Sequence, residues 1–337
     1  GPPHPQFVDL QESPPQLCCL PCPIEEMCRP PKSDELKTSN KEILVAALVK
    51  KEELPSKSEI KAAIPAKCFE HSLFKAFGHV FRDGLVIAFF AFLAKSCLRT
   101  QAMTWVDVAG WATYAFFQGS ALTGWWVLAH ECGHGGFSQF QVVNDVVGWV
   151  LHSGLLVPYF SWQYSHAKHH SKTNHLQDGE SHNPNSKRDV EDAGYVTLAS
   201  VIGEEAFAGF QLFAHLAVGW PIYLLTNATG GRRLYNGKPI PEGSTLDHFR
   251  PSSLLFPPTW KFRIFLSSVG VALALTALGY ASFVFGPRTV ALYYWGPYLG
   301  VNGWLVLYTW LQHTSNQVPH FGDDEWTWVR GALCTID

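Results

Sequence analysis

From about residue 84 onward the chain is built on long apolar stretches, and the cleanest of them, about Val108 to Ala129, holds no charged residue and stops directly at His130. About twenty apolar residues in a helix suffice to span the hydrocarbon of a bilayer. In hydrocarbon the backbone has no water to bond, so a run of this length without alternation crosses as a helix. A first stretch, about Gly84 to Met103, is interrupted by Lys95 and Arg99, whose side chains can snorkel, and it pairs with the second as a helical hairpin. Residues 142–162 are apolar but broken by Gly148, His152, Gly154 and Pro158, the pattern of a helix lying along the interface. Of the later segments near 206–226, 262–285 and 289–311, the first contains His215, Gly219 and Pro221 and is the poorest candidate for a span. Counting only the last two returns His313 to the side on which His130 emerges. The expected fold is an all-α integral membrane protein with about four transmembrane helices in two hairpins, accompanied by interfacial helices.

The connection between the hairpins carries Lys168, Lys172, Lys187, Arg188, Arg232, Arg233, Lys238, Lys261 and Arg263, which by the positive-inside tendency makes that side cytosolic. The start of the chain is different in kind. Residues 1–40 are rich in Pro and poor in large apolar side chains, a composition expected to stay disordered. Residues 41–54 read as a short amphipathic helix, and Ser56 with Glu59 signals a small helix that stops at Pro65. The expected division is a tail over 1–55, short helices before the membrane over 56–83, and a membrane domain over 84–337. Gly1 opens the chain without a Met, so a missing start is expected as well.

A net charge of −3, with no basic stripe, gives no reason to propose nucleic acid as a partner. Cys18, Cys19, Cys22 and Cys28 lie in the Pro-rich tail, while Cys68, Cys97, Cys132 and Cys334 are dispersed, so a reducing, cytosol-facing environment is the default.

Eight of the 15 histidines fall between His130 and His182, five of them in two tight groups written HECGH (130–134) and HAKHH (166–170). On helices, His130 and His134 share a face, and so do His166, His169 and His170. Imidazole is a neutral borderline donor suited to Fe, Zn, Cu or Ni. Five clustered histidines, with His313 and His320 as further candidates, exceed the three protein ligands of a catalytic zinc and suggest two metals held mainly by nitrogen. At a membrane face, two redox-active irons can direct dioxygen against the C–H bonds of a lipid chain. The competing reading is a membrane zinc metalloprotease, because His130-Glu131-Cys132-Gly133-His134 also satisfies H-E-x-x-H with Glu131 as general base. That reading leaves His166, His169 and His170 without a task.

HECGH after an apolar span, then FSWQYSHAKHHSKTNH, then WLQHTSNQVPHF followed by DDEWTWVRGALCTID, resembles the Δ12 (oleate) group of membrane fatty acid desaturases. The resemblance covers about residues 56 to 337 and includes SEIKAAIPAKCFEHS and GWPIYLLTNATG. It implies a di-iron centre (two Fe ions), dioxygen as oxidant, cytochrome b5 as electron donor, and an acyl-lipid substrate such as an oleoyl phospholipid in the membrane of the endoplasmic reticulum. On this chain it implies His130 and His134 from the first box, His166, His169 and His170 from the second, and His313 as a less secure ligand. Glu131 becomes a residue that orients a ligand imidazole. Related ω3 desaturases, hydroxylases and acetylenases share these boxes. The family has a third H-x-x-H-H box a few tens of residues beyond the segment matched by GALCTID, so a C-terminally truncated fragment, inactive by itself, is expected.

Aromatic residues near the boxes (Trp125, Trp126, Phe137, Trp149, Tyr159, Phe160 and Trp162) are candidates for the wall of an acyl tunnel, with core packing the commoner use of such residues. The bases Lys168, Lys172, Arg232 and Arg233 are candidates for docking an acidic electron donor.

Overall fold

A computed structural model of the chain describes residues 50–183, 195–314 and 318–335. Outside them lie the tail 1–40, most of the segment 41–54, the four tail cysteines, and Lys187 and Arg188. The chain divides into two units, residues 1–56 and 57–337. The described part of the first contains the 3-10 turn Lys51–Glu53.

The second unit is helical, and its only β-type pairings among the described residues are two isolated bridges. Helix α1 (Lys57–Ala63) ends before Pro65, as expected. Helix α2 (Leu73–Cys97) begins well before Gly84, because Ser72 is extended and its Oγ accepts the Lys75 N–H. Arg99, expected to snorkel from the span, lies instead in the turn after α2. There it donates to Asp107, while its carbonyl accepts Trp111 Nε1–H at 2.9 Å. The same Asp107 forms a capping box with Thr104 and so starts α3 (Trp105–His134). Gly135, at φ 76°, ends α3 in the left-handed region, and the Gly136 N–H closes on the Glu131 carbonyl at 2.8 Å.

The single interfacial helix expected over 142–162 is two helices, α4 (Gln141–Gly154) and α5 (Tyr159–Ser171). Leu156, at φ 58°, turns the chain between them, and Pro158 then starts α5. Leu155, Leu156 and Val157 of this turn are buried. Ser267 Oγ accepts the first free N–H groups of α5, from Phe160 at 2.8 Å and Ser161 at 3.3 Å.

Helix α6 (Tyr195–Ile202) meets Gly203 and then α7 (Glu204–Thr226), which holds Pro221 and stops at Asn227 in the left-handed region. Helix α8 (Lys261–Phe285) follows the 3-10 turn Pro258–Trp260. After a helical turn and a π-helical segment, Ala291–Trp295, comes α9 (Gly296–His313), and α10 (Trp328–Leu333) is the last described helix.

Among the described residues, three helical segments are long and apolar enough to cross a membrane: Leu73–Cys97, Glu204–Thr226 and Pro258–Phe285. Phe92, Phe213 and Phe283 stand exposed on them, as lipid-facing side chains do. The middle segment was expected to be the poorest candidate; a proline inside a membrane helix is tolerated where neighbours satisfy the freed carbonyl. Helices α3 and α9 fall outside the set by composition, since Trp, Tyr, Gly and polar residues such as Gln118 and Asn302 interrupt their apolar runs.

Helix α3 runs parallel to α9 and the π-helical segment before it, and the contacts keep step: Trp111 with Tyr293 of that segment at 4.9 Å, Gly119 with Gly300, Ser120 with Trp304 at 2.8 Å. Helix α2 is antiparallel to α3, with Phe90 on Phe117 and the Val80 carbonyl accepting from Trp125. The C-terminal ends of α3 and α9 therefore emerge together, and His130, His134 and His313 share one end of the bundle.

Candidate metal centre

The first box occupies the last turn of α3 and the second the last two turns of α5, so spacing alone aims both sets of imidazoles across one gap. Beneath the gap, Trp126, Leu155, Val157, Trp162, Val301 and Leu305 form a packed floor. The Trp162 ring lies flat against His166 at 4.5 Å. The candidate tunnel residues Trp126, Phe137, Tyr159, Phe160 and Trp162 are buried in this core and its neighbour, while Trp125 and Trp149 bond backbone carbonyls of adjacent helices.

Four Nε2 atoms converge. His166 lies 2.8 Å from His130 and 3.1 Å from His134, His130 and His134 are 3.2 Å apart, and His170 is 3.0 Å from His166. Hydrogen bonds cannot account for this arrangement. An imidazole nitrogen is either a donor or an acceptor, so in the triangle of His130, His134 and His166 at least two nitrogens have the same character and repel. A cation at the centre removes the conflict. Nitrogens at right angles about one ion, each about 2.1 Å from it, stand about 3 Å apart, as these do. His130, His134, His166 and His170 can therefore hold a metal ion.

The protonation pattern suits that use. Glu131 Oε1 accepts His130 Nδ1–H at 2.9 Å, which leaves Nε2 of His130 with a lone pair facing the cluster. Burial, followed by the neighbouring histidines, holds His166 well below the usual imidazole range and thus neutral.

His169 is not a member of this group of four. Its Nδ1–H donates to the Glu180 carbonyl, and its ring stands edge-on to His313 at 4.8 Å. Burial lowers it to about 3. The buried Nδ1 of His313 has no hydrogen-bond partner among the described residues. His182, unmarked in the sequence reading, stacks 6.5 Å from His313 with its Nε2 at 2.8 Å from Thr309 Oγ1. The histidines thus form a tight four-nitrogen cluster and a looser group of His169, His313 and His182. His320 is not in the four-nitrogen cluster but lies close enough to His313 to act on it electrostatically.

A second candidate ligand set, His175, Asp178 and Asp323, lies nearby. There His175 Nδ1 accepts N–H groups from Gln177 and Asp178, so Nε2 carries the proton and donates to Asp323 at 3.1 Å. Arg233 completes an ion-pair network with Asp323 at 3.0 Å. The network clasps residues 321–334 onto the end of the second box, aided by Trp328 Nε1–H to the His170 carbonyl and Asn174 to the carbonyls of Gly331 and Cys334. Lys168, Lys172 and Arg233, bases proposed for docking, are engaged internally: Lys168 with Glu180, Lys172 with Asp178 and Trp326, and Arg233 with Asp323.

Residues 103–335 match the model of the fatty acid desaturase family. The chain is 40% identical over 290 residues to a Delta(12) fatty acid desaturase of Mortierella alpina, covering 83% of this chain and 70% of that protein. It is 38% identical over 301 residues to an oleate hydroxylase of Claviceps purpurea, covering 83% of this chain and 61% of the hydroxylase. It is also 37% identical over 281 residues to a protein of Brassica juncea named omega-6 fatty acid desaturase, endoplasmic reticulum, with 83% and 69% covered. The chain belongs to the fatty acid desaturase family.

Proposed function

We propose that this chain carries the iron-binding membrane core of a Δ12 acyl-lipid desaturase, which introduces a cis double bond into an oleoyl chain in the endoplasmic reticulum. The convergence of four imidazole nitrogens from two helices at one end of a membrane bundle carries the reading. His130, His134, His166 and His170 would hold one iron, and His169 with His313 would contribute to a second. Neutral nitrogen donors with almost no carboxylate fit a redox-active ion better than Mg or Ca. Once bound, the iron would supply the dioxygen chemistry needed to attack an unactivated methylene.

The overall reaction takes two hydrogens from neighbouring methylenes, two electrons from a donor of the cytochrome b5 kind and two protons from solvent, and reduces dioxygen to two waters. The protein's part is to position and to exclude water. The Trp126 and Trp162 floor closes the cluster from below, and Glu131 holds the His130 ring with its lone pair inward. This use of Glu131, together with family membership, displaces the zinc protease reading. The basic connection at the histidine end supports a cytosolic site by the positive-inside tendency. Lys172 and Arg233, paired within the chain yet partly exposed, remain candidates for docking an acidic electron donor on that face.

The test is expression in yeast of the full-length gene that contains this sequence, with profiling of total acyl chains. A new diunsaturated acid that disappears on His166→Ala is the expected result. A hydroxylated acid would instead assign the hydroxylase activity named for the Claviceps relative, and an unchanged profile would overturn both.

A further inference from the structure

His169 turns away from the four-nitrogen cluster, and the turn that faces it is unusual. Ser181 and His182 both adopt left-handed φ values, 64° and 53°, directly after Glu180. Neither is a glycine, so the turn is unfavourable by itself and needs an anchor. Glu180 provides one. Its carboxylate is buried, 2% exposed, and is held from two sides, by Lys168 Nζ of α5 at 3.1 Å and by the Tyr223 hydroxyl of α7 at 3.2 Å. Lys168 also donates to the Arg233 carbonyl at 3.0 Å. The peptide carbonyl of the same Glu180 accepts His169 Nδ1–H at 2.5 Å, and Ser181 Oγ lies 3.3 Å from that nitrogen.

We propose that Glu180 is a positioning residue for His169: its carboxylate, clamped between Lys168 and Tyr223, fixes a strained turn whose carbonyl holds the proton on Nδ1 and leaves Nε2 of His169 free to bind a metal. The partner that the other ring nitrogen finds decides which nitrogen of a ligating histidine is protonated. Here that partner is a backbone atom, and the side chain of the same residue keeps it in place. Only the consequence for metal binding rests on the function proposed above.

The experiment uses the 337-residue chain in detergent, free of metal, with its histidine ring nitrogens isotopically labelled for NMR and the His169 signal assigned through His169→Ala. The wild-type ring is expected to be protonated at Nδ1. In Glu180→Ala the proton should move largely to Nε2. Glu180→Gln keeps an acceptor for Tyr223 but loses the charge that pairs Lys168, and should give an intermediate mixture. The signal of His79, which sits on α2 and shares a cavity wall with Arg82, Asp83 and Ser120, should stay unmoved in both. An Nδ1-protonated His169 in both variants would overturn the proposal, and if Glu180→Ala does not fold, Glu180→Gln and Tyr223→Phe decide it. Zinc binding measured against a chelator is the second readout: Glu180→Gln should weaken the site that His169→Ala removes by about 10–100-fold, with no further loss in the double variant. If the wild-type chain takes up no metal, the proposed function fails while the tautomer result stands.

Discussion

Glu131 shows how much one residue's setting says about its use. In a zinc protease the glutamate of H-E-x-x-H stands free to take a proton from water. Here its carboxylate is engaged by the Nδ1–H of the neighbouring His130, and the His130 Nε2 meets the imidazoles of His134 and His166. A carboxylate in this position raises the basicity of its ligand and locks the ring. Glu131→Gln keeps the shape and weakens the hydrogen bond, so the metal affinity of the cluster should fall by about 10–100-fold without being abolished, as measured by zinc competition with a chelator. A variant that binds zinc as tightly as wild type would remove Glu131 from the site.

At the scale of elements, the relation between α3 and α9 decides whether His313 reaches the histidine end. The two helices touch through glycines: a Cβ on Gly119 would lie 2.8 Å from the Pro297 carbonyl and 2.9 Å from Gly300 Cα. These neighbours are backbone and cannot step aside. Gly119→Ala should therefore destabilise the bundle by about 1–3 kcal/mol through overpacking. Gly78→Ala on α2, where a Cβ meets nothing within 4 Å, should be neutral or slightly stabilising. Thermal unfolding in detergent compares the two, and equal melting temperatures would remove the close approach as a determinant of the fold. The same contrast marks what was legible in the sequence. The spacing in HECGH and HAKHH predicts that His130 and His134 share one helix face and His166, His169 and His170 another, because helical periodicity is local. It cannot show His169 diverted to the Glu180 carbonyl, nor Tyr223 reaching Glu180 across 43 residues, because long-range packing decides both. The break between α4 and α5 was visible as Gly154 and Pro158, yet its consequence was not, since Leu156 adopts its turn only inside a buried core.

For the molecule as a whole, the second box is held in a frame, and one joint of that frame titrates. His248 is fully buried and connects three parts: its Nδ1–H donates to the Leu224 carbonyl of α7, and its Nε2 meets Ser165 Oγ of α5, one residue before the box, at 3.1 Å. Burial lowers it to about 4, against an unfolded histidine near 6.5. Between those values the unfolded chain binds a proton that the folded chain refuses. The contribution of a neutral His248 is thus fully present above about pH 6.5 and is lost as the pH falls toward about 4. From pH 7 to 5 this one group should cost on the order of 2 kcal/mol, and the other buried histidines add to the slope. The melting temperature of the metal-free protein should therefore drop over that range. His248→Asn should be less stable at pH 7 but flatter with pH, because no proton is left to bind at that joint. A variant with the full wild-type slope would place the acid sensitivity elsewhere in the bundle. The expected pattern instead ties the acid limit of the fold to the joint that holds the histidine helix in place.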